Sequence, residues 1–352
     1  MVIRALDVPV VGAPMAGGPS TPELVAAVSE AGGLGFLAGG YLTAAQVAEQ
    51  VADVWSRTER PFGVNLFVPQ EANTYAAGPG ALAGADRVRA VEVYRAQLTD
   101  EARRVGIELP EARPGDTDDW DRKLDLMVRE RVPVVSFTFG LPSSAVLGEL
   151  SRAGIETLVT VTDADEARAA LEAGADGLCI QGVDAGGHRG TLDVDREPND
   201  LDVVDLLRQV RGLTDRPVIA AGGLGTGERA ALAAEAGADA VQIGTALLLT
   251  PEAGTSLPYR RALTDPRYEA TVVTRAFSGR WARGIENGFV RAHHDQAPPA
   301  YPEVHHITSP LRRAAAAAEE PELLALWAGT GWRDAQPVPA AVVVAEIASG
   351  LS

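Results

Sequence analysis

The hexapeptide EAGADG at residues 172–177 returns almost unchanged as EAGADA at residues 235–240. In both places an alanine-rich run ends in Ala-Gly, and an apolar run follows it. Two further Ala-Gly pairs, at residues 31–32 and 153–154, have the same surroundings. A glycine at this place is typical of the left-handed cap that ends a helix. The repeats therefore predict alternating helices and strands with a parallel sheet.

Short apolar runs predict eight strands, at residues 8–11, 34–37, 63–66, 134–138, 157–161, 177–180, 218–221 and 240–243. Most of them lack regular alternation of apolar and polar residues, as expected for strands that are buried on both faces. Helix-like segments lie between them, at residues 22–31, 44–57, 144–153, 163–173, 201–211 and 228–236. This succession predicts an α/β fold of the (β/α)8 TIM-barrel type. A doubly wound open sheet is the alternative.

Two parts of the chain depart from this rhythm. Residues 67–133 separate the third and fourth predicted strands, which is far more than a βα crossover needs. They contain a Pro/Gly/Ala-rich stretch at 70–84 and predicted helices at 86–105 and 119–131, which we interpret as an insertion over the barrel mouth. After residue 250 we predict short helices at 257–264, 311–318, 321–327 and 340–349. We therefore expect a barrel at 1–250 and a smaller C-terminal helical or lid region at 251–352.

The composition argues against several classes of partner. Lys and Arg number 31 and Asp and Glu number 48, so the net charge is −17, which disfavours nucleic acids and anionic membranes. The single cysteine, Cys179, excludes a disulfide or a cysteine metal cluster within one chain. The N-terminus does not resemble a signal peptide, and no run of 18 apolar residues predicts a membrane span. We expect a cytoplasmic protein that acts on a small molecule, and a homodimer is one assembly that the sequence allows.

A glycine-rich stretch, IQGVDAGGHRG at residues 180–190, follows the sixth predicted strand. Glycines permit positive φ and close approach of the backbone to a ligand. His188 is the only histidine in the middle of the chain, and histidine titrates near neutral pH without a shift of its pKa. We therefore predict that His188 lies on a loop at the carboxyl end of a strand and moves or holds a proton. A surface loop with a solvated histidine is the alternative.

Two further loops predict a phosphate site. The ends of strands seven and eight are the usual phosphate site of this barrel. Gly222 and Gly223 follow the seventh predicted strand, and Gly244 and Thr245 follow the eighth. Bare backbone N–H groups at such positions bind anions, especially where a helical turn begins. Together the loops indicate a ligand that carries a phosphate.

The other strand ends carry uncharged polar side chains, which suit an aromatic heterocycle. Asn65, Gln181 and Gln242 supply both donors and acceptors, and Met15 lies between small residues and suits one face of a ring. A sugar phosphate would call for more carboxylates. The set therefore favours flavin mononucleotide (FMN).

Other reactive residue types receive a structural interpretation. The pairs His293-His294 and His305-His306 are adjacent in sequence, so their side chains diverge and a shared metal site is not expected. Cys179 lies inside a predicted strand and is interpreted as a buried thiol. Arg280 and Arg283, which lie beside aromatic residues, either clamp an anion or tie the C-terminal region to the barrel.

Five motifs in this order resemble the nitronate monooxygenases, formerly called 2-nitropropane dioxygenases: PMAGG at 14–18, QGVDAGGHRG at 181–190, AAGG at 220–223, QIGT at 242–245 and FSGR at 277–280. The resemblance implies an FMN-containing TIM barrel with a smaller helical domain. It implies FMN contacts at Asn65, Gln181, Gly186, Gly222, Gly223, Gln242, Ile243, Gly244 and Thr245, with Met15 near the ring. His188 takes the place of the catalytic histidine.

The implied reaction oxidises an alkyl nitronate or nitroalkane with dioxygen to a carbonyl compound and nitrite. Since the protein carries a charge of −17, an anionic nitronate needs a local positive feature, for which Arg189, Arg280 and Arg283 are the candidates. The barrel motifs are also similar to those of NAD(P)H-dependent FMN reductases that act on enoyl-acyl-carrier-protein or quinones. A flavin-free phosphate-binding isomerase or lyase and a non-enzymatic flavin carrier are the alternatives from other classes.

Overall fold

The computed structural model describes residues 1–75, 82 and 84–351. Residues 76–81 and 83, which belong to the Pro/Gly/Ala-rich stretch at 70–84, lie outside this range. The described strands are β1 (Val10–Gly12), β2 (Phe36–Ala38), β3 (Gly63–Phe67), β4 (Val134–Thr138), β5 (Glu156–Val161), β6 (Gly177–Gln181), β7 (Gly187–His188), β8 (Val218–Ala221), β9 (Ala240–Ile243), β10 (Thr271–Thr274) and β11 (Ala282–Ile285).

Eight of these strands form one parallel sheet in the order β1-β9-β8-β6-β5-β4-β3-β2. A parallel bridge between Val11 and Leu34 joins the two outer members. The amide of Gly12 donates to the carbonyl of Leu34 at 2.9 Å, and the amide of Leu34 donates to the carbonyl of Val10 at 3.0 Å. The sheet is thus closed into a barrel, which confirms the predicted (β/α)8 fold and excludes the open sheet.

The described helices are α1 (Pro22–Glu30), α2 (Ala44–Arg57), α3 (Gly84–Gln97), α4 (Thr99–Arg104), α5 (Trp120–Arg129), α6 (Ser144–Arg152), α7 (Ala164–Ala173), α8 (Val203–Arg211), α9 (Gly227–Glu235), α10 (Leu257–Thr264), α11 (Gly288–His293), α12 (Glu303–Ala317) and α13 (Ala340–Ala348). Local sequence explains several ends. Thr43 and Gln46 form a capping box at the start of α2. Gly174 ends α7 with φ 104°, the left-handed cap that its Ala-Gly pair predicts.

The last helix belongs to the ring of helices around the barrel. α13 packs against both α1 and α9. Its buried side chains Val343, Val344 and Ile347 join the barrel's main hydrophobic core. A Cβ added at Gly350, just after α13, would lie 1.9 Å from the carbonyl oxygen of Gly227, so only glycine permits this close approach to α9. The chain therefore returns to the barrel after the segment that follows β9.

The insertion and the segment after β9 share a second hydrophobic core. Val91, Tyr94 and Leu98 from the insertion are fully buried in it, beside residues such as Phe277 and Ile307 from the later segment. The Tyr94 hydroxyl donates to the carbonyl of Ala276 at 2.6 Å. We call this buried cluster, which includes Val91, Tyr94, Leu98, Phe277 and Ile307, the second core. It places a layer of helices beside the barrel, and no described helix is long and apolar enough to cross a bilayer.

Some predicted elements are wrong in detail. The helix expected at 86–105 is two helices, α3 and α4, separated at Leu98. The helix expected at 311–318 begins earlier, at Glu303, and the one expected at 321–327 is only a 3-10 turn at Pro321–Leu323. His188 does not lie on a loop, because β7 pairs antiparallel with β11, with His188 opposite Ala282. The pairing of β7 with β11, outside the barrel sheet, fixes the backbone at His188.

Candidate active site

A cavity of about 740 Å³ opens at the carboxyl ends of the barrel strands, a size within the usual range for ligand sites. The structure brings every predicted site residue to its wall. These residues are Met15, Asn65, Gln181, Gly186, His188, Gly222, Gly223, Gln242, Ile243, Gly244 and Thr245. They come from the ends of five barrel strands, β1, β3, β6, β8 and β9, which are distant in sequence, as expected for a barrel site.

The amide side chains are held by their neighbours. Nδ2 of Asn65 donates to Oγ of Ser136 at 2.9 Å and to Oγ1 of Thr138 at 3.0 Å, so Oδ1 remains as the acceptor for a ligand. Gln181 is engaged at both ends, since Nε2 donates to the carbonyl of His188 at 3.0 Å and Oε1 accepts from the amide of Gly190 at 2.8 Å. Gln181 therefore shapes the backbone around His188 as well as lining the cavity.

The two glycine loops expose backbone donors to the cavity. Gly222 and Gly223 have φ 108° and 71°, which other residues adopt only with strain. Gly244 precedes a 3-10 turn at Thr245–Leu247. Within the described part of the chain, the N–H groups of Gly223, Gly244 and Thr245 have no protein acceptor. Unpaired N–H groups that meet in one cavity are suited to the oxygens of a phosphate.

His188 is fixed through Ser278. Nε2 of His188 lies 2.8 Å from Oγ of Ser278, and that hydroxyl lies 3.3 Å from the carbonyl oxygen of Arg280. Both bonds are satisfied when Nε2–H donates to Ser278 and Ser278 donates to Arg280, which leaves the Nδ1 lone pair for a ligand. Burial, aided by the positive charges of Arg280 and Arg312, lowers the pKa of His188 to about 3. The imidazole is therefore neutral at pH 7, so the free ring nitrogen is a hydrogen-bond acceptor.

Aromatic side chains surround the imidazole. Ring centroids of Phe139 and Trp327 both lie 5.3 Å from that of His188, and Tyr301 lies 6.4 Å away. Tyr41 stacks on His305 with centroids 3.6 Å apart, and both line the cavity. These rings make one end of the cavity largely aromatic, and His188 lies at that end.

The three candidate cations do not occupy equivalent places. Arg189 donates to the carbonyl of Gly182, and Nε of Arg283 donates to the carbonyl of Val183 at 3.0 Å, so neither lines this cavity. Arg280 is buried behind the aromatic rings, with its guanidinium carbon 4.4 Å from the Phe139 centroid and Nη2 2.8 Å from the Phe139 carbonyl oxygen. Arg280 and Arg283 thus tie the segment after β9 to the barrel loops.

Two arginines of α12 line the cavity, the exposed Arg313 and the more buried Arg312, and the sequence singled out neither. Nη2 of Arg312 lies 3.0 Å from Nδ1 of His305, and its buried Nε has no partner among the described residues. Burial lowers the pKa of Arg312 to about 10, so it stays charged at neutral pH. Because no described carboxylate forms an ion pair with it, Arg312 gives the cavity a positive potential.

The other histidines have separate partners. Nε2 of His293 lies 2.8 Å from Oε1 of Glu101, and Nε2 of His306 lies 2.8 Å from Oδ2 of Asp116. His305 lines the cavity beside Arg312, and burial lowers its pKa well below the usual value. The spacing of 305, 309, 312 and 316 along α12, close to that of one helical face, is the signal that could have revealed this wall.

Comparisons by sequence match the chain to one family. The nitronate monooxygenase family model matches residues 2–350. A probable nitronate monooxygenase from Staphylococcus aureus (strain MSSA476) is 35% identical over 346 residues, which cover 97% of this chain and 94% of that protein. The crystal structure of a nitroalkane oxidase from Streptomyces ansochromogenes is 47% identical, with a TM-score of 0.91 over 99% of this chain and 97% of its own. FabK from Thermotoga maritima shares the fold at 24% identity and a TM-score of 0.74, covering 99% and 94% of the two chains.

Proposed function

The chain belongs to the nitronate monooxygenase family, and from that premise we propose that it binds FMN and oxidises alkyl nitronates with dioxygen to a carbonyl compound and nitrite. It is a flavin-dependent oxidoreductase of nitroalkanes or nitronates. The observation that carries the finer proposal is the neutral His188, held by Ser278 at the aromatic end of a cavity whose other walls present amides and free N–H groups.

The residues present fit an FMN. The free N–H groups of Gly223, Gly244 and Thr245 suit its phosphate. The carboxylate of Asp184, which lines the cavity beside Gly223, is offset by Arg229, whose Nη2 lies 3.9 Å from Oδ2 of Asp184. Oδ1 of Asn65 and the amide of Gln242 suit the donors and acceptors of the pyrimidine edge. Met15 lines the same cavity and suits a ring face. When bound, the flavin supplies the redox chemistry, taking electrons from the substrate and passing them to dioxygen.

The protein's own residues then bind and deprotonate the substrate. Nδ1 of the neutral His188 accepts the proton on the carbon that bears the nitro group, or the imidazole hydrogen-bonds a nitronate that arrives already ionised. Arg312 on the cavity wall and Arg280 behind the rings favour the negative charge of the nitronate. Their fields also offset the repulsion that a net charge of −17 imposes on an anion.

The proposed reaction is tested by its products. With ethyl nitronate in air, we expect the holoenzyme to consume dioxygen and to release nitrite and acetaldehyde in equal amounts. The protein freed of its flavin serves as the control and should release neither above the uncatalysed rate. Oxygen uptake without nitrite, or no uptake at all, would contradict the proposal.

A further inference from the structure

We propose that the substrate carries an extended alkyl chain, which runs from His188 along one apolar wall of the cavity. The inference rests on the proposed function, since it describes the substrate class of the same site. The wall consists of Tyr259, Ala316, Leu324, Ala325 and Trp327, all of which line the cavity. We call these five residues the apolar wall.

The apolar wall is the part of the second core and its neighbouring side chains that lines the cavity. Leu324 is a buried member of that core, and the other four wall residues are partly buried and pack against it. The cavity is therefore a cleft between two unlike surfaces. On the barrel side lie amides and glycines. On the other side the apolar wall lies beside the polar face of α12 that carries His305 and Arg312, and its apolar surface gains by losing contact with water.

The wall begins at the proposed base. The Trp327 centroid lies 5.3 Å from that of His188 and 5.4 Å from that of Phe277. The Tyr259 hydroxyl donates to the carbonyl of Trp327, which fixes the backbone at that residue. A carbon atom positioned for deprotonation by His188 therefore has the indole beside it, and its alkyl substituent meets Trp327 first.

The direction of the wall follows from the backbone. The amide of Ile285 donates to the carbonyl of Leu326 at 2.8 Å, and the amide of Ala328 donates to the carbonyl of Arg283 at 3.3 Å. Along this extended segment Leu326 and Ala328 are buried, whereas Ala325 and Trp327 line the cavity. Residues two apart on an extended chain lie about 6.6 Å apart on one face. The track from Trp327 past Ala325 is thus several carbon–carbon bonds long.

The side chains along the track leave room for a chain. Beyond Trp327 the wall presents the methyl groups of Ala325 and Ala316, and Ala316 lies one helical turn after Arg312 on α12. A larger side chain at either alanine would occupy the space that the alkyl chain uses. Ala325 and Ala316 are therefore the residues that set the accepted chain length.

The inference is tested with two series of ligands on the holoenzyme. Each buried methylene contributes enough to raise kcat/KM about fourfold. From nitroethane to 1-nitrohexane we expect such a rise at each step in the unaltered protein. Straight-chain carboxylates from acetate to hexanoate, planar anions that are not oxidised, should bind about fourfold tighter per methylene, measured from the change in flavin absorbance.

Matched variants locate the effect. Ala325→Leu and Ala316→Leu should flatten both series beyond the shortest members, because the added side chain fills the space that the longer alkyl chains use. Ala317→Leu, the same change at an exposed neighbouring position of α12, should leave both series as they are. The inference is wrong if kcat/KM and carboxylate affinity do not change with chain length in the unaltered protein. It is also wrong if the leucine variants lose flavin but keep the dependence on chain length. Carboxylates that tighten with length while no nitroalkane or nitronate is oxidised would instead refute the proposed function alone.

Discussion

Replacing His188 with asparagine lowers kcat/KM for neutral nitroethane by about 10²–10⁴-fold, the usual contribution of a positioned general base. The same change lowers kcat/KM for ethyl nitronate by less than about tenfold, because an ionised substrate needs only a hydrogen bond from this residue. Asparagine is chosen because it retains polarity and cannot take up the proton. The measurement is the steady-state rate of nitrite release with freshly dissolved nitroethane and with the preformed nitronate.

A matched control is His294→Asn, since His294 does not line the cavity. Its kinetics should equal those of the unaltered enzyme. Equal losses on both substrates in His188→Asn would contradict the role as base and would indicate a role in binding alone.

The pH profile gives a second readout. Because burial lowers the pKa of His188 to about 3, the base stays neutral as the pH falls through 6.5. The acid limb of kcat/KM for nitroethane should therefore lie below pH 6.5 and disappear in the variant.

Replacing Gly223 with valine weakens FMN binding by about 100-fold or more. The residue has φ +71°, and a Cβ there would lie 2.9 Å from Cβ of Asp184, so the loop must move. The strain costs about 1–2 kcal/mol. A lost N–H hydrogen bond to an ionised phosphate costs about 1.5–3 kcal/mol more. Each 1.4 kcal/mol is about tenfold in affinity. The measurement is titration of the flavin-free protein with FMN, followed by flavin fluorescence.

Gly174→Val provides the matched control for this prediction. Gly174 has φ +104° at the end of α7, and a Cβ there would meet nothing within 4 Å. The substitution introduces the same kind of backbone strain away from the cavity, so it should lower thermal stability and leave the FMN affinity unchanged. If both variants bound FMN as well as the unaltered protein, the glycine loop would not be the phosphate site.

The barrel could be predicted from the sequence because its signals are local. Strands buried on both faces read as short apolar runs, and β4, β8 and β9 have the predicted bounds. The Ala-Gly pairs marked helix ends, since the φ of Gly174 is accessible to few other residues. The polar site residues followed from the rule that strand carboxyl ends meet at one edge of a barrel.

The wall opposite the barrel could not be predicted, because its signals are tertiary. Pro310 lies inside α12, and since proline usually ends a helix, the predicted helix began after it and missed His305. The run at 321–327 reads as helical, yet Trp327 forms an antiparallel bridge with Gly284 and its segment is extended. Without these two elements, Arg312 had no predicted position near the site.

Anaerobic mixing of the FMN-loaded protein with each candidate electron donor tests most directly whether the nitronate is the reductant. Ethyl nitronate should bleach the visible flavin absorbance within the turnover time, whereas NADH and NADPH in parallel samples should leave it unchanged. The opposite result, rapid bleaching by NADH or NADPH and none by the nitronate, would contradict nitronate oxidation and identify the protein as a nicotinamide-dependent flavin reductase.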